Sequence, residues 1–302
     1  MGRVLLGLAI VMLPTGCRSK VPTPATGPLP RIVALSPALG ATLHDYALDS
    51  LVVGRHAFDL ALDPGVPVCG ETVGGQIDYE AIVAAQPTAI FAQFGAAGIP
   101  PRLAELAGAR KWKISRFEPL SLADVRASAL AMIEELGTSG VTTDAARAAI
   151  ARLEASLAPR SRAAGAGRVL LLASLRPIAA FGPGSLHHDI LIAIGGTPAI
   201  AAGGAYQSLD AEDVIALKPD AIVVVEPRAR HARPASPTAA ELAAALGRAA
   251  PSTLPAARLG RLRLIDDPLA HLPATTISRV AAALGDQIEE WGRQDAPSPA
   301  SR

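Results

Sequence analysis

The chain has 302 residues, half of them apolar, with a formal net charge of +1 and 3% aromatic content. This length and apolar fraction predict two domains, each able to bury its own core. The charge balance leaves no basic stripe and the aromatic content no base-stacking surface, which excludes a nucleic-acid partner. The two cysteines, Cys17 and Cys69, have neither zinc nor redox spacing, and with Cys17 committed to the amino-terminal motif below, Cys69 is left alone and no disulfide is expected within the chain.

Arg3 and the apolar run from Val4 to Leu13 form a secretory-signal pattern too short to span a bilayer. The run leads into Leu13-Pro14-Thr15-Gly16-Cys17, which resembles the lipobox of bacterial lipoproteins, although Pro14 stands where that motif prefers Leu. The resemblance implies lipidation of Cys17 and a membrane anchor. Pro22, Pro24, Pro28 and Pro30 then make an extended, semi-rigid tether rising about 3 Å per residue.

Short apolar runs alternate with helical periods from Arg31 onward. Strands are predicted at Arg31 to Leu35, Leu51 to Gly54, Ala89 to Gln93 and Trp112 to Ser115. Ser36-Pro37 reads as a helix start with a capping hydroxyl and Pro in the first turn. Leu122, Val125, Ala129, Ile133 and Leu136 mark a helix ending at Gly137. Thr142 to Leu157 is a second, Ala-rich helix of about 24 Å. Further strands follow at Arg168 to Ala173, Ile178 to Phe181, Ala221 to Val225 and Leu262 to Ile265, and a helix carries Ile277, Val280, Leu284, Ile288 and Trp291. The expected fold is α/β: two lobes with largely parallel sheets flanked by helices, joined by one long α-helix. The domain plan is a signal peptide over 1–17, a tether over 18–30, an amino-terminal lobe over 31–140, an inter-lobe helix over 141–160, a carboxy-terminal lobe over 161–291 and a disordered tail over 292–302.

An internal repeat supports two similar lobes. The segments Asp78 to Ile90 and Asp210 to Ile222 align at a constant offset of 132 residues and share Asp, Glu, one Ala, Pro, a second Ala and Ile. Each copy reads as an N-cap Asp, a short helix, a Pro that ends it and a buried strand.

These residues resemble a known family. Arg31-Ile-Val-Ala-Leu-Ser-Pro37, Val53-Gly54 and Asp78-Tyr-Glu80 through Pro87-Thr-Ala-Ile90 are similar to the amino-terminal lobe of the cobalamin, siderophore and haem periplasmic binding proteins. Gly182 to Leu191, Gly195-Gly196 and Leu209 to Val223 are similar to their carboxy-terminal lobe. The resemblance implies the substrate-binding component of an ABC importer, a lipid-anchored monomer outside the cytoplasmic membrane. It would capture a bulky metal chelate, either a corrinoid, a ferric siderophore or haem, and deliver it to a permease dimer with its ATPase. It needs no cofactor, and the rigid helical joint implies small lobe movements. One glutamate per lobe, Glu80 and Glu212 by position in the repeat, would dock onto permease arginines.

Ligands of open parallel sheets lie beyond the carboxyl ends of the strands. The cleft candidates are therefore Ser36, His56, Phe58, Gln76 and Phe94 from one lobe and Phe181, Tyr206, Arg228, Asp267 and His271 from the other. The aromatic side chains offer flat apolar contact to a macrocycle or catecholate, against the competing role of core packing. His56, His187, His188 and His271 fall near cleft edges, either as ligands to a bound metal or as loop and cap residues; they lack the spacing of the zinc and manganese binders. Arg228, Arg230 and Arg233 follow a strand end, as solvated residues or as partners for an anionic ligand group. No G-x-G-x-x-G, P-loop, His-Glu-x-x-His or G-x-S-x-G pattern is present, and Cys69 reads as a small core residue rather than a nucleophile. The alternatives are a scavenging or sensing lipoprotein without a transporter and an extracytoplasmic enzyme.

Overall fold

The computed structural model describes residues 28–70, 76–227 and 254–294. Cys17, the candidate anchor, and Arg228, the candidate cleft cation, lie outside them, as do Arg230 and Arg233.

The amino-terminal lobe holds a five-stranded sheet in the order β3-β2-β1-β4-β5. Its strands are β1 (Ile32–Ala34), β2 (Val52–His56), β3 (Val68–Gly70), β4 (Ala89–Ala92) and β5 (Lys113–Arg116), and every pairing is parallel. Alternate residues feed opposite faces, as the two-residue period of a strand requires. Ile32, Ala34, Ala89 and Phe91 enter one core cluster, while Val33, Ile90 and Ala92 enter another with Leu103 of helix α3 (Pro101–Arg110). Both faces are thus buried, which is why these strands read as unbroken apolar runs.

The carboxy-terminal lobe repeats this plan with an antiparallel addition. Its six strands are β6 (Arg168–Leu175), β7 (Ile178–Phe181), β8 (Thr197–Pro198), β9 (Tyr206–Ser208), β10 (Ala221–Val225) and β11 (Leu262–Ile265). The parallel path β8-β6-β10-β11 matches β2-β1-β4-β5 of the first lobe. β7 turns back antiparallel on β6, and β9 pairs antiparallel with β7. Val169, Leu171, Val223 and Val225 face one core, and Leu170, Leu172, Ile222 and Val224 the other.

The repeat is visible atom by atom. Helix α2 (Tyr79–Ala85) starts at Asp78, whose carboxylate accepts the Ala81 amide proton at 2.9 Å. Helix α7 (Ala211–Leu217) starts at Asp210, whose carboxylate accepts the Asp213 amide proton at 2.8 Å. Both helices end in a left-handed residue without being glycine, Gln86 at φ 48° and Lys218 at φ 46°, and each is followed by proline. A side chain in that region carries a modest steric cost, so the same departure at the same place in both lobes is structural evidence for the repeat.

The expected joining helix is α5 (Asp144–Ser156), about 20 Å long. Its Ala146 and Ala149 lie in the amino-terminal core and its Leu153 in the carboxy-terminal one. A second helix makes the same crossing in reverse: α4 (Leu122–Thr138) places Leu122 and Val125 in the carboxy-terminal core and Ala129 to Leu136 in the other. The lobes also touch directly. Ala38 and Ala41 of helix α1 (Pro37–Asp45) pack on Leu269 and Ala274. The last helix, α9 (Ser278–Gln294), follows helix α6 (Leu186–Ala193), α7 and the single turn α8 (Pro255–Arg258). It extends through Gln294, so Gly292 to Gln294 are helical where the sequence predicts the start of a tail; Trp291 and Gly292 are buried and hold that turn down.

Candidate functional site

The amino-terminal candidates converge at the carboxyl ends of β1, β2 and β4. His56 at the end of β2, Gln76, and Gln93-Phe94 after β4 line a cavity of about 310 Å³ together with Leu35, Gly70, Ile77, Ala97, Gly98 and Pro100. Ser36 stands beside it. Its hydroxyl does not cap α1 as the sequence predicts. It donates instead to Gln93 Oε1 at 3.0 Å, tying the ends of β1 and β4 together and orienting the carboxamide of Gln93. The His56 Nδ1 accepts the Phe58 amide proton at 3.2 Å, which assigns the proton of the neutral ring to Nε2. Phe58 itself is 61% exposed on the rim.

One wall of this cavity is the turn from Phe94 to Pro100, and Glu118, at a strand end that faces the cleft, controls it. Glu118 Oε1 accepts the amide protons of Phe94 and Gly95, each at 3.2 Å, and pairs with Arg116 Nη2 at 3.0 Å. Arg116 Nη2 also donates to the Gly95 carbonyl at 2.9 Å, so carboxylate and guanidinium hold both sides of one residue's backbone. Some desolvation opposes ionisation of Glu118, but the hydrogen bonds from Arg116, Phe94 and Gly95 outweigh it and hold the carboxyl below the usual range. The only sequence signal for this role is position: Glu118 lies two residues past the end of β5.

The carboxy-terminal candidates gather around Phe181, at the end of β7. Its ring stacks on His187 of α6, with centroids 3.9 Å apart and 22° between planes. His271 meets the same ring edge-on at 5.3 Å, and Tyr206 lies tilted across it at 5.5 Å. Phe181 is only 2% exposed, so it forms the underside of the cluster, while Tyr206, 64% exposed on the edge strand β9, forms its outer face. His187 Nε2 donates to the Ala270 carbonyl at 2.8 Å, and His271 Nε2 to the Val225 carbonyl at 2.7 Å. Burial pushes the His187 ring down to about 4 and lowers His271 as well, so both are neutral at pH 7. His188 is buried behind them, its amide donating to the Ser185 hydroxyl.

Asp267 is committed to the fold. Its carboxylate accepts from Arg279 at 2.6 and 3.1 Å and from the Leu269 amide at 2.8 Å, which fixes the loop that carries His271. Glu80 and Glu212 occupy equivalent exposed positions in the first turns of α2 and α7. Cys69 is fully buried in strand β3, and burial raises its thiol to about 11, which removes its nucleophilic character at neutral pH. Among the described residues no group of three or more His, Cys, Asp and Glu is placed to hold a metal ion, and no helix is long and apolar enough to cross a membrane.

A family model described as periplasmic binding protein matches residues 59–269. No curated protein sequence matches the chain. Solved structures do. The periplasmic vitamin B12 binding protein BtuF of Vibrio cholerae superposes with a TM-score of 0.58 at 19% identity, covering 88% of this chain and 99% of that one. The periplasmic heme-binding protein BhuT, in complex with two hemes, gives 0.62 at 19% identity over 88% and 100%. The siderophore binding protein BauB, bound to two molecules of acinetobactin and ferric iron, gives 0.62 at 18% identity over 88% and 94%. At these identities the likeness is one of fold, and it extends over both lobes and the helices that join them. With a family match spanning most of its length, the chain belongs to the periplasmic binding protein family, extracytoplasmic proteins that bind ligands for transport and do not transform them.

Proposed function

We propose that this protein is the substrate-binding component of an ABC importer. It captures one bulky metal chelate (a corrinoid, a ferric siderophore or haem) between its lobes and delivers it to a permease dimer with its ATPase. Cys17 anchors it to the membrane by a lipid, and the proline-rich segment that follows lets the lobes reach the permease. The observation that carries this reading is the gathering of candidate groups at the strand ends of both lobes. His56, Gln76 and Phe94 line one cavity, Tyr206 and His271 sit over Phe181, and Phe58 and Tyr206 present exposed aromatic faces on opposite lobes. An exposed aromatic ring on each lobe suits a ligand with two extended faces.

The test is titration of the purified chain from Arg31 onward with cyanocobalamin, haem and ferric siderophores in turn. One of them shifts its absorption spectrum at one equivalent and stabilises the protein by about 2.7 kcal/mol at a hundredfold excess over Kd. Replacing Phe58, Phe94 and Tyr206 together by alanine removes both effects. Absence of any shift with every chelate would overturn the reading.

A further inference from the structure

The loops that carry Phe58 and His271 belong to different lobes, and both run onto one small apolar seam. Ala38 and Ala41 of α1, with Leu269 and Ala274, form its buried centre, and Ala61 and Leu272 pack against it. Ala61 follows shortly after Phe58, while Leu269 and Leu272 bracket His271. The seam lies on the cleft side of the molecule, because α1 begins just past the carboxyl end of β1 and the segment from Asp266 to Ala274 just past that of β11. On each side the loop is braced, so cleft residue and seam residue move together. Pro268 and Pro273 fix the backbone at two points of the carboxy-terminal loop. The Leu269 amide donates to Asp267, which Arg279 holds by two bonds, and the Ala270 carbonyl accepts from His187. The Leu272 amide donates to the Leu269 carbonyl at 3.0 Å, closing a turn around His271. In the other lobe the Phe58 amide donates to His56, and Asp59 Oδ1 accepts the amide protons of Ala61 and Leu62.

We infer, resting on the ligand-binding reading above, that Ala61 and Leu272 are positioning residues of the cleft: through the seam, a ligand that touches His271 also sets the place of Phe58, and the reverse. The joining helices α4 and α5 enter the cores of both lobes, but neither carries a cleft candidate. The seam is where the candidate loops of the two lobes share packing. Close-packed side chains transmit a displacement instead of absorbing it. Coupling of this kind is reciprocal, so a change on either side of the seam is felt on the other.

The test changes one lobe and reads the other, in the full chain with no ligand added. In Leu272→Ala, hydrogen exchange at the Ala61 and Leu62 amides accelerates about tenfold. In Leu272→Met, which conserves volume, it stays within about twofold of the parent. Val214→Ala truncates the same lobe's core away from the seam and leaves those two amides unchanged. The reverse arm, Ala61→Asp, accelerates exchange at the Leu272 and Ala274 amides, and it decides the coupling whether or not Leu272→Ala folds. Exchange that changes only in the substituted lobe, or an equal acceleration at Ala61 and Leu62 in Val214→Ala, would overturn the inference. The chelate that shifts the absorption spectrum of the parent binds Leu272→Ala at least about threefold more weakly, and equal affinity would remove the positioning role. If no chelate binds the parent, the transport reading fails while the exchange data still decide whether the seam couples the loops.

Discussion

His187 lies flat on Phe181, ring centroids 3.9 Å apart, with its Nε2 proton given to the Ala270 carbonyl and no partner for Nδ1 among the described residues. The contact places a neutral imidazole inside the carboxy-terminal core, and burial lowers its pKa from 6.5 to about 4. In the unfolded chain the ring takes a proton near pH 6.5; in the folded chain it resists until about 4. The unfolded state thus binds more protons in this window, and stability is lost as pH falls through it. The contribution is at most about 3 kcal/mol. His271 is shifted in the same direction, while the buried carboxyl of Asp59 is raised and acts with the opposite sign. Comparison with His187→Phe, which keeps a flat ring on Phe181 without the titrating group, isolates the term. Urea unfolding should give a steeper loss of stability between pH 6.5 and 4 for the parent than for the variant. Parallel slopes would remove His187 from the account.

Asp59 supports a second prediction. Its Oδ1 accepts the amide protons of Ala61 and Leu62, and Oδ2 is buried against Gly40 of α1. A Cβ built on Gly40 would lie 1.7 Å from that oxygen. Gly40→Ala should therefore cost about 1–3 kcal/mol through overpacking. In an Asp59→Ala background the carboxylate is gone, the flexible end of Leu62, 3.2 Å from the added Cβ, has only to give by a few tenths of an ångström, and alanine's better helix propensity remains, so the same substitution should stabilise by up to about 1 kcal/mol. Urea unfolding of the four proteins measures the reversal of sign. The loop so held carries Phe58, which links the packing of α1 to the cleft rim.

The sequence made the parallel strands legible because strands buried on both faces are continuous apolar runs, as in Ala221 to Val225. Of the edge strands, β5 and β11 were legible and the short β3 and β9 were not. Tyr206 to Ser208 has one half-exposed face and no apolar run, and its strand exists through pairing with β7. The repeat foretold the caps at Asp78 and Asp210 but not the left-handed Gln86 and Lys218, since nothing in either side chain requires that backbone. The strand-end rule groups His56, Gln76 and Phe94, and they line one cavity. Phe181 ends a strand that runs antiparallel to β6, so it is turned back from the carboxyl ends of the parallel strands and lies buried beneath the cluster. Asp267 is spent on Arg279, twelve residues away across a loop and a helix start, a distance at which spacing carries no signal.

The turn that walls the amino-terminal cavity depends on Glu118. With its carboxylate removed, the Phe94 and Gly95 amides lose their acceptor and Arg116 loses its partner. In Glu118→Ala, hydrogen exchange at those two amides should accelerate about tenfold, while exchange in β4 stays unchanged. Glu118→Gln, which keeps one acceptor oxygen, should fall between. The carboxyl is held below its ordinary range, so this support is complete above the ordinary carboxylate pKa and fades only as pH falls through the lowered value. Unchanged exchange at Phe94 and Gly95 in the alanine variant would show that the turn holds itself.

Glu80 and Glu212 extend the internal repeat to the proposed partner. Each lies two residues past an N-cap aspartate, in a helical turn where negative charge is favoured by a few tenths of a kcal/mol. That local benefit is available to an acidic residue anywhere in the turn, and α7 already has Asp213 there. Position adds what local energetics does not: the two carboxylates are exposed, one per lobe, at equivalent points of the repeat. Neither has an ion-pair partner among the described residues. Two such charges fit a two-fold symmetric permease, each meeting the same basic surface on its own subunit. An exposed ion pair contributes about 0.2–1 kcal/mol. Two of them set register and encounter rate without a tight complex, which suits repeated delivery. Glu80→Ala combined with Glu212→Ala should leave the melting temperature within about 2–4 °C and the ligand affinity unchanged. Uptake through the reconstituted transporter should fall, and the salt dependence of docking should weaken with it. Exchanging both for arginine should abolish uptake by repulsion. Normal uptake in the double alanine variant would leave the two carboxylates as helix-start residues alone, and loss of ligand binding would tie them to the cleft instead.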